Sequence, residues 1–230
     1  FPMTYPQTHF PNGGGFWCTI AAGGSQTIRN IKVESTVPYR PDFLLKGDSK
    51  TMGLYATTIA LRFPDLIQNL CNNTFVNNAG GGDRTLHAVD NIREVTNVIK
   101  PKNVIWCGLA RNDIAAGVPA ATWQGNIDSC YSAYQSAGIK TIFCYAMPDA
   151  TDITAYNTFV STYTGDLVIT ETFDLLKTGT GLNAKFNIGD NIHPNNLGHS
   201  MHAIALVNGI YGMLNTPLDK EALNGIIATT

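Results

Sequence analysis

Residues 42–53 read DFLLKGDSKTMG, and the reading of this stretch decides the fold. DFLLKG (42–47) is a short apolar run of strand length, Gly47-Asp48-Ser49 is turn-forming, and the segment from Ser49 to about Leu70 reads as a helix. The same alternation continues outward. NTFVNNAG (73–80), NVIWCGLA (103–110), KTIFCYAMP (140–148) and DLVITETF (166–173) read as four further strands. Helices fall between them over 84–100, 122–137 and 152–163, with a last one over 195–211. In the first of these Leu86, Val89, Ile92, Val95 and Ile99 share a face, and in the last Leu197, Met201, Ile204 and Val207 do. Strands alternating with helices predict a parallel sheet covered on both faces. The fold class expected is a three-layer α/β/α sandwich with a central, mainly five-stranded parallel sheet of flavodoxin-like kind.

The flanks differ from this body. FWCTIAA (16–22) and TIRNIKVES (27–35) around a Gly-Gly-Ser turn predict a β-hairpin, too small to be stable alone. Residues 1–40 are therefore read as an appendage that either packs on the main body or is the remnant of a neighbouring module, 41–216 as the main domain and 217–230 as a tail. The sequence opens on Phe1 without a signal peptide, which fits a chain lacking its natural start.

Composition narrows the function. Charged residues are 14% of the chain and the formal charge is −2, from 15 basic and 17 acidic residues. No cationic stripe of the sort a phosphate backbone requires is present, so nucleic acid is not an expected partner. No apolar run reaches the ~18 residues needed to span a bilayer. The five cysteines, at 18, 71, 107, 130 and 144, form no CxxC pair. Cys107 and Cys144 sit in apolar strand segments and read as buried and free, while one disulfide involving Cys18, Cys71 or Cys130 is left open. His199 and His202 stand three apart on a helical segment, but no HExxH pattern or added carboxylate turns them into a metal site. Neither a metal nor a cofactor is expected, and His9 and His87 read as surface polarity.

Ligands of open parallel sheets bind beyond the carboxyl ends of the strands, and chemistry-bearing residues cluster there. Ser49 follows the first strand, at a turn where a hydroxyl projects beside helix amides. The turn-plus-cap alternative is real, because Asp and Ser are preferred N-caps. Asp190-Asn191-Ile192-His193-Pro194 precedes the last helix and supplies a base with an orienting carboxylate three residues away. Ala110-Arg111-Asn112-Asp113 follows the third strand, and glycines 80–82 follow the second. An Asn amide and a backbone N–H from these two places suit an oxyanion.

On these segments the chain resembles the SGNH (GDSL-type) hydrolase superfamily from about Asp42 to Tyr211. LLKGDSKTMG is similar to that family's first block, NNAGGGDRT (77–85) to the second, LARND (109–113) to the third and DNIHPN (190–195) to the last. The resemblance implies Ser49, His193 and Asp190 as catalytic triad, with Ser49 N–H, Gly82 N–H and the Asn112 side chain as oxyanion donors. Gly81 is the alternative to Gly82, since three glycines stand together. Two departures stand out. Ala110 replaces the glycine usual two residues before the Asn, so its methyl is expected to shift the Asn or narrow the cleft. Lys50 follows the serine where a small or apolar residue is usual. The implied function is hydrolysis of short-chain esters, acetyl esters of carbohydrate foremost, through an acyl-enzyme. The alternatives are a lipase- or thioesterase-like acyl hydrolase, and a non-catalytic glycan-binding module. Part of a larger extracellular, secreted or virion-associated assembly is the expected setting.

Overall fold

The computed structural model describes residues 40–71, 73–163 and 167–213. The hairpin expected at 16–35 and the tail 217–230 lie outside these residues.

Five parallel strands form one sheet: β1 (Phe43–Gly47), β2 (Phe75–Asn77), β3 (Asn103–Cys107), β4 (Lys140–Cys144) and β5 (Leu167–Ile169), in the order β2-β1-β3-β4-β5. The chain leaves β1 outward to β2, then returns to β3 on the other side. The switch point of the topology therefore lies between the carboxyl ends of β1 and β3, where a crevice opens in such sheets. Alternation along the buried strands sends Leu44, Val104, Trp106 and Phe143 to one face, with Trp123, Ile127 and Tyr134 of α5 (Ala120–Ser136). Phe43, Leu45, Ile105 and Ile142 point to the other face. There they meet Phe63, Leu66 and Ile67 of α2 (Phe63–Leu70) and Ala203, Leu206 and Val207 of α8 (Asn196–Gly209). Helices α3 (Thr85–Asp90) and α6 (Thr154–Val160) complete the first layer, giving three layers around the sheet. The short helices α1 (Ser49–Met52), α4 (Arg111–Ala115) and α7 (Glu171–Asp174) sit at strand ends, and β6 (Lys177–Thr178) pairs antiparallel with β7 (Gly181–Leu182) in a separate ribbon.

Several elements differ from the periodicity reading. The helix expected from Ser49 to Leu70 is interrupted. Gly53 at φ +88 ends α1 with its N–H on Lys50 O, and Pro64 in the first turn starts α2 afresh. The helix expected over 84–100 divides into α3 and a π-helical stretch, Glu94–Ile99, closed by a bond from Lys100 N to Val95 O of 2.8 Å. Leu86 is 54% exposed, because burial of Thr85 and Ala88 turns it one position off the core face. Helix α8 has no single apolar face, being buried nearly all round from Gly198 to Val207. It packs against both the sheet and α2, and Met201 packs with Met147, Leu176 and Leu182. Cys71, Cys107, Cys130 and Cys144 are all free and buried.

Candidate active site

The first turn after β1 is tight enough to require glycine. A Cβ on Gly47 would lie 2.0 Å from Thr51 Oγ1, so the strand can only fold back onto α1 if residue 47 lacks a side chain. Asp48 then caps α1, accepting from Lys50 N at 2.9 Å, and Ser49 becomes the first helical residue. The capping role and an outward-facing serine thus belong to different residues of the same tripeptide.

The opposite wall is a loop closed on itself. Asn187 and Pro194 bridge antiparallel, Ile188 N donates to His193 O, and Asn195 N donates to Phe186 O at 2.8 Å. The Asn195 side chain accepts from Gly198 N and donates to Lys185 O and Asn187 O, capping α8 and fastening the loop to it. Gly198 permits this contact, since a Cβ there would sit 2.3 Å from Phe186 O. Inside the loop Asp190 Oδ1 accepts from the N–H groups of Ile192 (2.9 Å) and His193 (2.8 Å), with Asn191 in the left-handed region at φ 60. That Asx-type turn leaves Asp190 Oδ2 2.6 Å from His193 Nδ1. Burial pushes the Asp190 carboxyl up, but hydrogen bonds from the His193 backbone and ring and from Ile192 outweigh it and hold it below the ordinary carboxylate value.

The two walls meet. His193 Nε2 lies 3.0 Å from Ser49 Oγ, across 144 residues of chain. Asn196 fixes the approach by pairing its amide with Thr57 N and Thr57 Oγ1, and His199 Nε2 reaches Leu54 O at 3.3 Å. Tyr55, half exposed and itself at φ 67, sets its ring edge-to-face against His193 with centroids 5.0 Å apart. With the Nδ1 proton shared with Asp190, Nε2 is free to accept the serine proton.

The second and third blocks are stapled to each other. Asp113 is buried and accepts from Thr85 N (2.9 Å) and Thr85 Oγ1 (3.2 Å), while Asn112 Nδ2 donates to Asp83 O at 2.9 Å. This brings Asn112 beside the Gly80–Asp83 turn, where Gly82 takes φ +79 and Gly80 N–H is engaged by Asp83 Oδ2. Gly81 faces α1, its position for a Cβ being 3.7 Å from Met52 Cε. Ala110 does not narrow the cleft as expected. It is fully buried in the core cluster of Trp106 and Leu109, at an ordinary helical φ of −70, so its methyl points into the core.

Lys50 is the departure that the structure accounts for. It is buried and paired with Asp149, a residue the sequence reading passed over, which also binds Arg111. Asp149 follows β4 at the same carboxyl edge, and that position is the one signal in the sequence that marks it. His87, about half exposed, accepts from the Arg84 N–H through Nδ1. His199 and His202 are buried against Phe63, their ring centroids 6.3 and 4.2 Å from its ring. Burial pushes His199 down to about 4 and His202 to about 3. Among the described residues no group of three or more His, Cys, Asp or Glu is placed to hold a metal ion, and no helix is long and apolar enough to cross a membrane.

Solved structures share this architecture. TesA matches with a TM-score of 0.64 at 20% identity, over 75% of this chain and 99% of that one. A GDSL-like lipase from Bacteroides thetaiotaomicron matches at 0.63 and 19%, over 75% and 88%. An acetylxylan esterase from Geobacillus stearothermophilus, in a catalytic-mutant form, matches at 0.62 and 16%, over 76% and 96%. The fold is that of the GDSL-type hydrolases. No family model and no curated protein matches the sequence. Within this GDSL-type fold Ser49, Asn112 and the Gly80–Asp83 turn follow the carboxyl ends of β1, β3 and β2, and the Asp190–His193 loop meets Ser49 there.

Proposed function

We propose that this chain is an SGNH-type serine esterase that cleaves short-chain esters, with acetylated carbohydrate as substrate class. The observation that carries the reading is the continuous line from Ser49 Oγ through His193 to Asp190, at 3.0 and 2.6 Å. In the proposed mechanism His193 Nε2 takes the Ser49 proton as Oγ attacks the ester carbonyl. The resulting tetrahedral oxyanion is bound by Ser49 N–H, Gly82 N–H and Asn112 Nδ2, donors of the kind that stabilise developing charge. His193 then protonates the leaving alcohol, and the acyl-enzyme is hydrolysed by water that His193 activates in turn. Asp190 keeps the imidazole in the required tautomer and stabilises the imidazolium.

The acetyl-carbohydrate assignment draws on the likeness to the acetylxylan esterase and on the weakly charged surface. An extracellular or virion-borne setting for the chain is part of the same proposal.

The test is hydrolysis of p-nitrophenyl esters from acetyl to decanoyl by wild type and Ser49→Ala, beside labelling with a fluorophosphonate. Turnover and labelling should both vanish in the variant, and rates should fall beyond butyryl. Retained turnover in Ser49→Ala would exclude the serine mechanism, and a rate rising with chain length would replace the acetyl assignment by a lipase-like one.

A further inference from the structure

One buried carboxylate ties together the loops around this centre. The Asp149 side chain has 0% exposure, and its Oδ2 accepts from both Lys50 Nζ and Arg111 Nε, the latter at 2.7 Å. Its Oδ1 accepts from Thr151 N at 2.6 Å. The two cations are 6% and 13% exposed. Lys50 follows Ser49 directly, and Arg111 directly precedes Asn112. The next residue along from Asp149, Ala150, donates its N–H to Asn191 O inside the Asp190–His193 loop, at 2.9 Å. Loops beyond β1, β3 and β4 and the histidine loop therefore converge on one short segment. Burial alone would raise the Asp149 carboxyl, but Lys50, Arg111 and the Thr151 N–H outweigh it and hold it below the ordinary value, so the group is ionised.

Arg111 makes a second contact, from Nη1 to Asn112 Oδ1 at 3.0 Å. A guanidinium only donates, so it selects the oxygen end of the amide. The other end, Nδ2, meets the Asp83 carbonyl, which only accepts. Both neighbours thus impose the same amide orientation. One Nδ2 proton goes to Asp83 O, and the second remains as a donor.

We infer that Asp149 is a positioning residue for ester hydrolysis. By anchoring Arg111, it locks the Asn112 amide in the orientation that donates to the oxyanion. The inference rests on the esterase reading above and adds a residue outside the triad and the donors.

A double-mutant cycle with wild type, Asp149→Asn, Asn112→Ala and the double variant tests it. Rates on p-nitrophenyl acetate are normalised to sites titrated with a fluorophosphonate, so that loss of folded protein drops out. Asn112→Ala should lower kcat by about 10²–10³. Asp149→Asn should lower kcat per site by about 10-fold or more at nearly constant KM, and the double variant should be at most a few-fold worse than Asn112→Ala, since coupled residues are not additive. A per-site kcat for Asp149→Asn equal to wild type, or losses that multiply in the double variant, would overturn the inference. If Asp149→Asn does not fold, Arg111→Lys decides. It keeps a cation beside Asp149 without the two-armed fork, and should show the same loss of kcat; a full rate would refute the coupling. An inert, unlabelled wild type is a different result: it removes the esterase reading and this inference with it.

Discussion

Asp190 and Asp149 are both loop aspartates at the rim of the same crevice, and both are held below the ordinary carboxylate value, yet they are built in opposite ways. Asp190 is one-third exposed and takes its partners from its own turn, at positions two and three residues on. Asp149 has no exposed side-chain surface and draws Lys50 and Arg111 from 99 and 38 residues away. A solvated carboxylate in a local turn adds little to global stability, and its value lies in the imidazole that it orients. A dehydrated carboxylate holding two cations is a structural joint first, because removing it strands both charges.

The contrast can be broken most decisively at Asp190. Asp190→Asn should lower kcat/KM on p-nitrophenyl acetate by about 10⁴, through loss of the correct tautomer, while its melting temperature stays within about 1 °C of wild type. A large thermal shift would mean that the loop is a stability element after all. Asp149→Ala, in contrast, should shift the urea unfolding midpoint strongly in addition to its effect on kcat. Breaking a buried pair by removing one partner costs about 3–5 kcal/mol, and an unchanged midpoint would show the joint to be solvated.

The same contrast between local and dehydrated groups extends to the histidines and sets the acid limit of the fold. His199 and His202 stay neutral in the folded chain down to about 4 and about 3, whereas unfolded histidine takes a proton near 6.5. The unfolded state therefore binds more protons below 6.5, and stability should be full above that pH and fall as pH drops through the window from 6.5 towards 4 and 3. Asp149, with its folded value depressed, adds a loss that sets in as pH falls below its ordinary 3.8. Both ring nitrogens of His202 lack a partner, so His202→Leu should flatten the acid limb seen in pH-dependent urea midpoints while leaving stability at pH 7 unchanged or higher by about 1 kcal/mol. An equally steep limb in the variant would assign it to other groups. The smallest effect is expected at Tyr55. Losing an aromatic pair worth about 0.5–1.5 kcal/mol should lower kcat/KM in Tyr55→Ala by about 2- to 10-fold, and an unchanged value would leave the ring without a role towards His193.

What was legible follows the same division. The strands could be read because β1, β3 and β4 are buried over most of their length and so appear as continuous apolar runs. The Asp190–His193 contact could be read because it closes within one turn. The exposure of Leu86 could not, since it depends on what packs against that helix rather than on its own period, whereas the break after α1 is made by the Gly53 cap and Pro64, which apolar periodicity does not register. Lys46, a cation inside the apolar run of β1, is buried with Asn78 Oδ1 as its partner.

The sequence by itself determined the alternation of strands and helices, the glycine that the Gly47 turn needs, and the local pairing of Asp190 with His193, because these are written within a few consecutive residues. Only the tertiary structure decided that Ser49 stands 3.0 Å from His193, that the Ala110 methyl turns into the core, and that Lys50, Arg111 and Asp149 share one buried site. Those contacts join residues 38 to 144 positions apart. No local propensity encodes them; they arise where the parallel sheet brings the carboxyl ends of its strands to a common edge.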